Sequence, residues 1–172
     1  MCYQKSYWGI GGSGFVFVCP DDSTVFLQKR SNLVSGGKLQ YGFPGGGIHI
    51  GKEKFWETPI KKELVLDDLD PVFLEVGKEE VSEECGSVPT FSILDTFLYE
   101  DCGFKYKTFI ATMSLAEKRH WKPFPDPGSG WEIYKNPDGS YEQKWVDIDQ
   151  FPRMNLFFGF TPQLIGKIIA AT

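Results

Sequence analysis

Glu80, Glu83 and Glu84 stand at i, i+3 and i+4 within Val72 to Cys85, a segment with no proline, one glycine and many Glu and Val. This spacing constrains the chain more than any other feature. On a helix the three carboxylates share one face, while Leu74, Val81 and Cys85 fall on a different, apolar one. Asp70-Pro71 is an entry signal, with Asp as N-cap and Pro at the first helical position, and Gly86 is placed to end the helix. Like charges at this spacing repel by roughly 0.2–0.5 kcal/mol per pair on an exposed helix. The repulsion vanishes when cations sit among them, and hard oxygen ligands suit Mg²⁺ or Mn²⁺. The plain alternative is a solvated acidic face, the ordinary fate of a bare E-x-x-E-E. Only the upstream context shifts the balance.

The rest of the chain reads mostly as strands. Phe15 to Cys19 and Val25 to Gln28 form a hairpin about the turn Pro20 to Thr24. Tyr41 to Gly47 is a short strand running into a glycine turn. Phe91 to Tyr99, Tyr106 to Met113 and Tyr141 to Val146 are further strands, and Pro162 to Ala171 is a last helix. The run Gly9-Ile-Gly-Gly-Ser-Gly14-Phe-Val16 matches G-x-G-x-x-G-x-V, but it opens a strand where a dinucleotide loop opens a helix, so it reads as a loop entering the first strand. Strands, helix, strands, helix is the order of an α+β layering.

At 172 residues the chain suits one domain, and 41% hydrophobic content is enough for one core. A net charge of −5 argues against a protein that coats nucleic acid. Four cysteines without a C-x-x-C pair suggest neither zinc nor a disulfide framework. The N-terminal stretch lacks the pattern of a signal peptide, and no apolar stretch approaches membrane-spanning length. The expectation is a cytoplasmic protein with no membrane association.

Phe43-Pro-Gly-Gly-Gly-Ile-His-Ile-Gly51 precedes the acidic segment. Consecutive glycines let the backbone approach a metal or phosphate closely. Together the two features resemble the Nudix box, G-x5-E-x7-R-E-U-x-E-E-x-G-U. Glu80 to Gly86 matches E-U-x-E-E-x-G, and Pro44-Gly45-Gly46 matches the approach to the first half. Trp145 to Pro152 is similar to the family's closing strand and turn, so the resemblance spans roughly 7 to 168. Three positions depart from the pattern. Lys52 stands where Glu is expected, with Glu53 one position late; Glu79 replaces the Arg; and 25 residues separate Glu53 from Glu79 where the family has 7, an insertion of 18. Lys52 and Glu79 read as the family's bracing ion pair with its charges exchanged.

The resemblance implies a single domain, 1–172, with a Nudix-type α/β/α sandwich and mixed central sheet, and an insertion at about 54–71. The insertion would cover the substrate or form a homodimer contact. The implied activity is hydrolysis of a diphosphate linkage in a nucleoside diphosphate joined to another moiety, such as a nucleotide, sugar, dinucleoside polyphosphate or RNA 5′ end. Two or more Mg²⁺ or Mn²⁺ ions would be held by Glu80, Glu83, Glu84 and the Gly45 carbonyl. Glu83, Glu84 and Glu142 are the implied catalytic residues, with Glu132 and Glu117 as reserves for the general base. Arg30 and Gly46 are expected to contact substrate, and Tyr41, Trp131 and Phe158 are stacking candidates. The rival reading is an inactive Nudix-like module that binds a nucleotide or protein.

Overall fold

The computed structural model describes residues 11–48, 70–101, 104–157 and 159–172. Its frame is β1 (Gly11–Cys19), buried along its whole length. Phe15 and Phe17 face one side of β1, Val16 and Val18 the other, so period-2 alternation here separates aromatic from branched aliphatic residues. A strand buried on both faces needs a layer on each side, and the chain supplies them. α1 (Asp70–Cys85) covers the first face through Phe73, Val81 and Cys85. Helix α2 (Leu115–His120) runs directly into Trp121, which completes that layer. α3 (Pro162–Ala170) covers the second face through Leu164 and Ile168, together with Phe151 and Phe160. Full burial of each such side chain contributes about 1.5–3 kcal/mol.

The sheet comprises, among the described residues, seven strands. Besides β1 these are β2 (Thr24–Lys29), β3 (Tyr41–Gly42), β4 (Gly45–Gly47), β5 (Ser92–Asp101), β6 (Phe104–Thr112) and β7 (Gln143–Asp147). β1 pairs in parallel with β6, and the other pairings are antiparallel, which makes the sheet mixed. The expected α/β/α sandwich with a mixed central sheet is therefore the architecture found.

The hairpin of β1 and β2 is short. Only Val18↔Val25 and Cys19↔Thr24 pair before the strands part. The opening is filled by 41–47: β3 pairs with the end of β2, and β4 pairs with the glycine-rich start of β1. Pro44 bridges them, its carbonyl accepting from the Phe15 amide at 2.9 Å. Two sequence expectations change here. The glycines 45–47 form a strand and not a turn, and Gly11, Gly12 and Gly14 lie inside β1 and not in a loop before it. Both segments are held by pairing with each other, with Gly12↔Gly47 and Gly14↔Gly45 in register.

α1 ends at Cys85 as expected and starts at Asp70, two residues before the expected Val72. Gly86 follows it with φ 73°, the left-handed residue that closes many helices. The insertion expected at about 54–71 lies outside the described residues as far as 69, and positions 70 and 71 already belong to α1. Helix α2 was not expected. Its signal was a capping box: Ser114 accepts from the Glu117 amide, and the Glu117 carboxylate accepts from the Ser114 amide. Glu117, a reserve catalytic residue, is thereby a helix cap.

Gly77 sets how closely α1 approaches β1. A Cβ there would lie 2.8 Å from the Phe15 ring and 2.9 Å from Ser13 Oγ. Phe15 is fully buried and has no room to retreat. Gly77→Ala gains up to about 1 kcal/mol of helix propensity but incurs about 1–3 kcal/mol of overpacking. The net is expected to lower the melting temperature by about 2–4 °C, and Gly77→Val by more. A thermal melt checks this, and a rise in melting temperature would contradict it.

Candidate active site

The sequence-predicted carboxylates come together with the glycine strand. Glu84 is 4% exposed and its Oε2 accepts from the Gly45 amide at 2.9 Å and from Gln28 Nε2 at 2.8 Å. Glu80, one turn earlier, lies against Gly46 so closely that a Cβ on Gly46 would overlap its carboxyl group. Gly46 is thus required by contact and not by backbone conformation. Gly45, whose carbonyl was the expected metal ligand, meets Glu84 through its N–H. Glu83 lies on the exposed side of the same helix turn.

The electrostatics are those of crowded carboxyl groups, one buried and one partly so. Burial first, then the charges of Glu83, Glu132 and Glu79, push the Glu80 carboxyl up to about 8. Burial, then Glu80 and Glu132, push Glu84 well above the ordinary carboxylate range, against the favourable bonds from Gly45 and Gln28. Among the described residues no Lys or Arg pairs with either group. A buried carboxylate held by a backbone amide and a partly buried one against a glycine, with no cation among the described residues paired to either, suit a hard divalent ion. Among the described residues no three acidic, His or Cys side chains converge to enclose an ion by themselves. Mg²⁺ ordinarily keeps several waters, so a partial protein shell is compatible with it.

The third acidic contributor is Glu132, in the short 3-10 turn Gly130–Glu132. Its charge acts on both Glu80 and Glu84. The expected third residue, Glu142, is placed otherwise. Its carboxylate accepts from Tyr41 at 2.8 Å, Lys144 at 2.7 Å and Asn136 at 3.2 Å. The Lys144 ammonium, aided by Tyr41 and Asn136, holds it below the usual carboxylate range. A carboxylate so occupied is a poor proton acceptor. Tyr41, a stacking candidate, belongs to the same network, and Lys144 lies 4.8 Å from its ring centre.

On the opposite face of β4 is a cavity of about 160 Å³. Gly45–Gly47 form part of its wall, with Arg30, Phe43, Phe97, Tyr99, Tyr106 and Phe157. The three-glycine strand is therefore a thin partition between the α1 carboxylates and an aromatic chamber. Arg30, the expected substrate contact, lines this chamber: its Nε donates to the Gly36 carbonyl at 2.9 Å, and its guanidinium sits 4.6 Å from the Phe157 ring centre. Tyr106 is partly buried, with its hydroxyl donating to the Ser13 carbonyl at 3.0 Å. Burial and the charges of Glu80 and Glu84 push its phenol up, so it stays protonated. The sequence signal for it was alternation on β6, where 104, 106 and 108 share the face that lines the chamber. Trp131 is 52% exposed outside the cavity lining, while Phe158 and Lys52 lie outside the described residues, so the Lys52–Glu79 pair cannot be placed.

No family profile matches the chain, and no curated protein sequence does. Solved structures do. The MutT protein from Methanosarcina mazei is 13% identical over 94% of this chain and 93% of its own, with a TM-score of 0.55. The Nudix hydrolase RenU from M. smegmatis is 19% identical over 94% and 84%, with a TM-score of 0.52. The chain has the Nudix fold. MutT from Aliivibrio salmonicida agrees, at 16% identity over 93% and 95% and a TM-score of 0.50. In this chain α1 and the Gly86 that follows it carry the segment Glu80–Gly86 that resembles the second half of the Nudix box, and β4 carries the glycines that approach it. The long spacer between Gly47 and Asp70 is compatible with this fold, because β4 and α1 are held together by Glu80 and Glu84 contacts and not by a short loop.

Proposed function

We propose that this protein hydrolyses a diphosphate linkage in a nucleoside diphosphate derivative, with Mg²⁺ or Mn²⁺ held by Glu80, Glu83 and Glu84. The observation that carries the reading is the partly buried Glu80 and the buried Glu84 against Gly46 and Gly45, with no Lys or Arg among the described residues paired to either. A bound divalent cation would supply Lewis-acid neutralisation of the phosphoryl oxygens. Gly45, through its amide, holds the Glu84 carboxylate in place. Glu83, exposed beside Glu80 and Glu84, is free of their burial and suited to accept a proton from water. Glu132 joins it as a candidate base, ahead of Glu142, because its charge reaches both Glu80 and Glu84. The aromatic chamber would take the flat, apolar end of the substrate, with Arg30 at its wall donating to a phosphate or base oxygen.

The substrate is taken to be a small cytoplasmic nucleotide. No helix among the described residues is long and apolar enough to cross a membrane. The test is a panel of damaged nucleoside triphosphates, dinucleoside polyphosphates, nucleotide sugars, ADP-ribose, NADH and capped RNA with Mg²⁺ or Mn²⁺, following phosphate or nucleotide release. Turnover of one class, abolished by chelation, is the expected result. Tight binding of a panel member without turnover would favour the inactive binding module instead.

A further inference from the structure

Gln28 follows the apolar run Val25-Phe26-Leu27 and precedes Lys29-Arg30, yet it is only 4% exposed. A buried amide in the middle of a sheet is costly unless fully bonded. Its bonds run in one chain. Gln28 Nε2 donates to Glu84 Oε2 at 2.8 Å, and Gln28 Oε1 accepts from Gln143 Nε2 at 3.2 Å. Gln143 Nε2 also donates to the Glu84 backbone carbonyl at 2.7 Å. Gln28 and Gln143 are register partners on β2 and β7, so both project toward the end of α1. Glu84 is consequently held at both ends, its carboxylate by Gln28 and its carbonyl by Gln143.

We infer that Gln28 is a positioning residue for Glu84, with Gln143 as its anchor, and that the pair orients one carboxylate oxygen toward a divalent cation. This rests on the reading of Glu84 as a cation ligand. Both donors, Gly45 N–H and Gln28, converge on Oε2, and among the described residues none reaches Oε1. Oε1 is the oxygen offered. The orientation of the Gln28 amide follows from its partners: the Glu84 backbone carbonyl only accepts, so Gln143 turns its nitrogen there, and Gln28 must offer its oxygen to that nitrogen and its own nitrogen to the Glu84 carboxyl group. An amide is the suitable donor for this task. Lys or Arg would also orient the carboxylate, but would bring the very charge that a cation must supply.

The test is Mn²⁺ binding followed by electron paramagnetic resonance, without nucleotide, beside a thermal melt. Gln28→Met keeps the volume and removes the donor. It is expected to weaken binding of one Mn²⁺ by about 10–100-fold, the range for partners that orient metal ligands, with the fold retained. Turnover of the Gln28→Met protein should recover toward wild type as Mn²⁺ is raised, which a packing defect would not produce. Gln28→Lys keeps a donor and adds charge, and is expected to weaken Mn²⁺ at least as much. Gln143→Met, which leaves the Gln28 bond but frees the amide, is expected to weaken it by about two- to tenfold, and it carries the test should Gln28→Met not fold. Wild-type affinity in the foldable variants overturns the positioning role alone. Absence of Mn²⁺ binding by the wild type overturns it together with the proposed hydrolase.

Discussion

Replacing Glu84 by Gln is expected to lower turnover by on the order of a thousandfold while leaving the metal-free protein as stable as wild type or more so. The two effects have one cause. Glu84 is fully buried, and burial disfavours its charged form, so the fold bears a cost for keeping an anion there. A neutral amide of the same shape relieves that cost and still accepts a bond from the Gly45 amide, which now donates to Glu84 at 2.9 Å. The charge is what a cation requires, and losing several kcal/mol of transition-state stabilisation corresponds to the stated loss of rate. A residue conserving only the fold would show the reverse, with reduced stability and retained activity. Turnover of the substrate found in the panel, measured beside a thermal melt, decides between them. Glu83→Gln should also lose turnover, but with little change in stability, because Glu83 is exposed. Wild-type turnover in Glu84→Gln would remove the basis of the proposed function.

The second large effect is on stability against pH. The Glu80 carboxyl is raised from 4.5 to about 8, and Glu84 is raised as well. A raised carboxyl binds its proton more tightly in the folded state than in the unfolded one. Its contribution to stability is therefore fully present below about 4.5 and is lost as pH rises toward about 8. The melting temperature of the metal-free protein is expected to fall between pH 5 and pH 8, by roughly several degrees. Other shifted carboxyls do not blur this window. Asp22, Asp95, Asp138 and Glu142 are lowered, by Lys118 and Thr24, Lys167, Ser140 and Lys144 respectively, so their contributions are lost only in more acidic solution. Glu80→Gln and Glu84→Gln should each flatten the slope. Mg²⁺ or Mn²⁺ should raise the melting temperature most at the alkaline end, where the ligands must be ionised. A metal-free melting temperature that is constant or rises from pH 5 to pH 8 would mean that these carboxylates are not crowded as described.

Helix α1 was legible because its signals are local. The i, i+3, i+4 carboxylates and Gly86 each act within one or two turns, and the helix runs to Cys85 as read. The alternation of Phe15 to Val18 likewise decides a strand with two covered faces. The glycines 45–47 misled for the opposite reason. Three glycines in succession have no strand propensity of their own, and they are a strand because β1 parts from β2 and leaves an edge that only side-chain-free backbone can approach. The surroundings of Glu142 were not legible, because its distance along the chain from the closing strand says nothing about Tyr41 and Lys144, which bond its carboxylate.

The sequence by itself determined that Glu80, Glu83 and Glu84 share a helical face and that a glycine segment precedes them, since both follow from spacing and backbone chemistry. Tertiary structure alone decided which of the three is buried, which amides hold it, and that Glu132 from a distant turn adds its charge. Burial and long-range pairing set the energy of a carboxylate, and neither is a property of its neighbours in the chain.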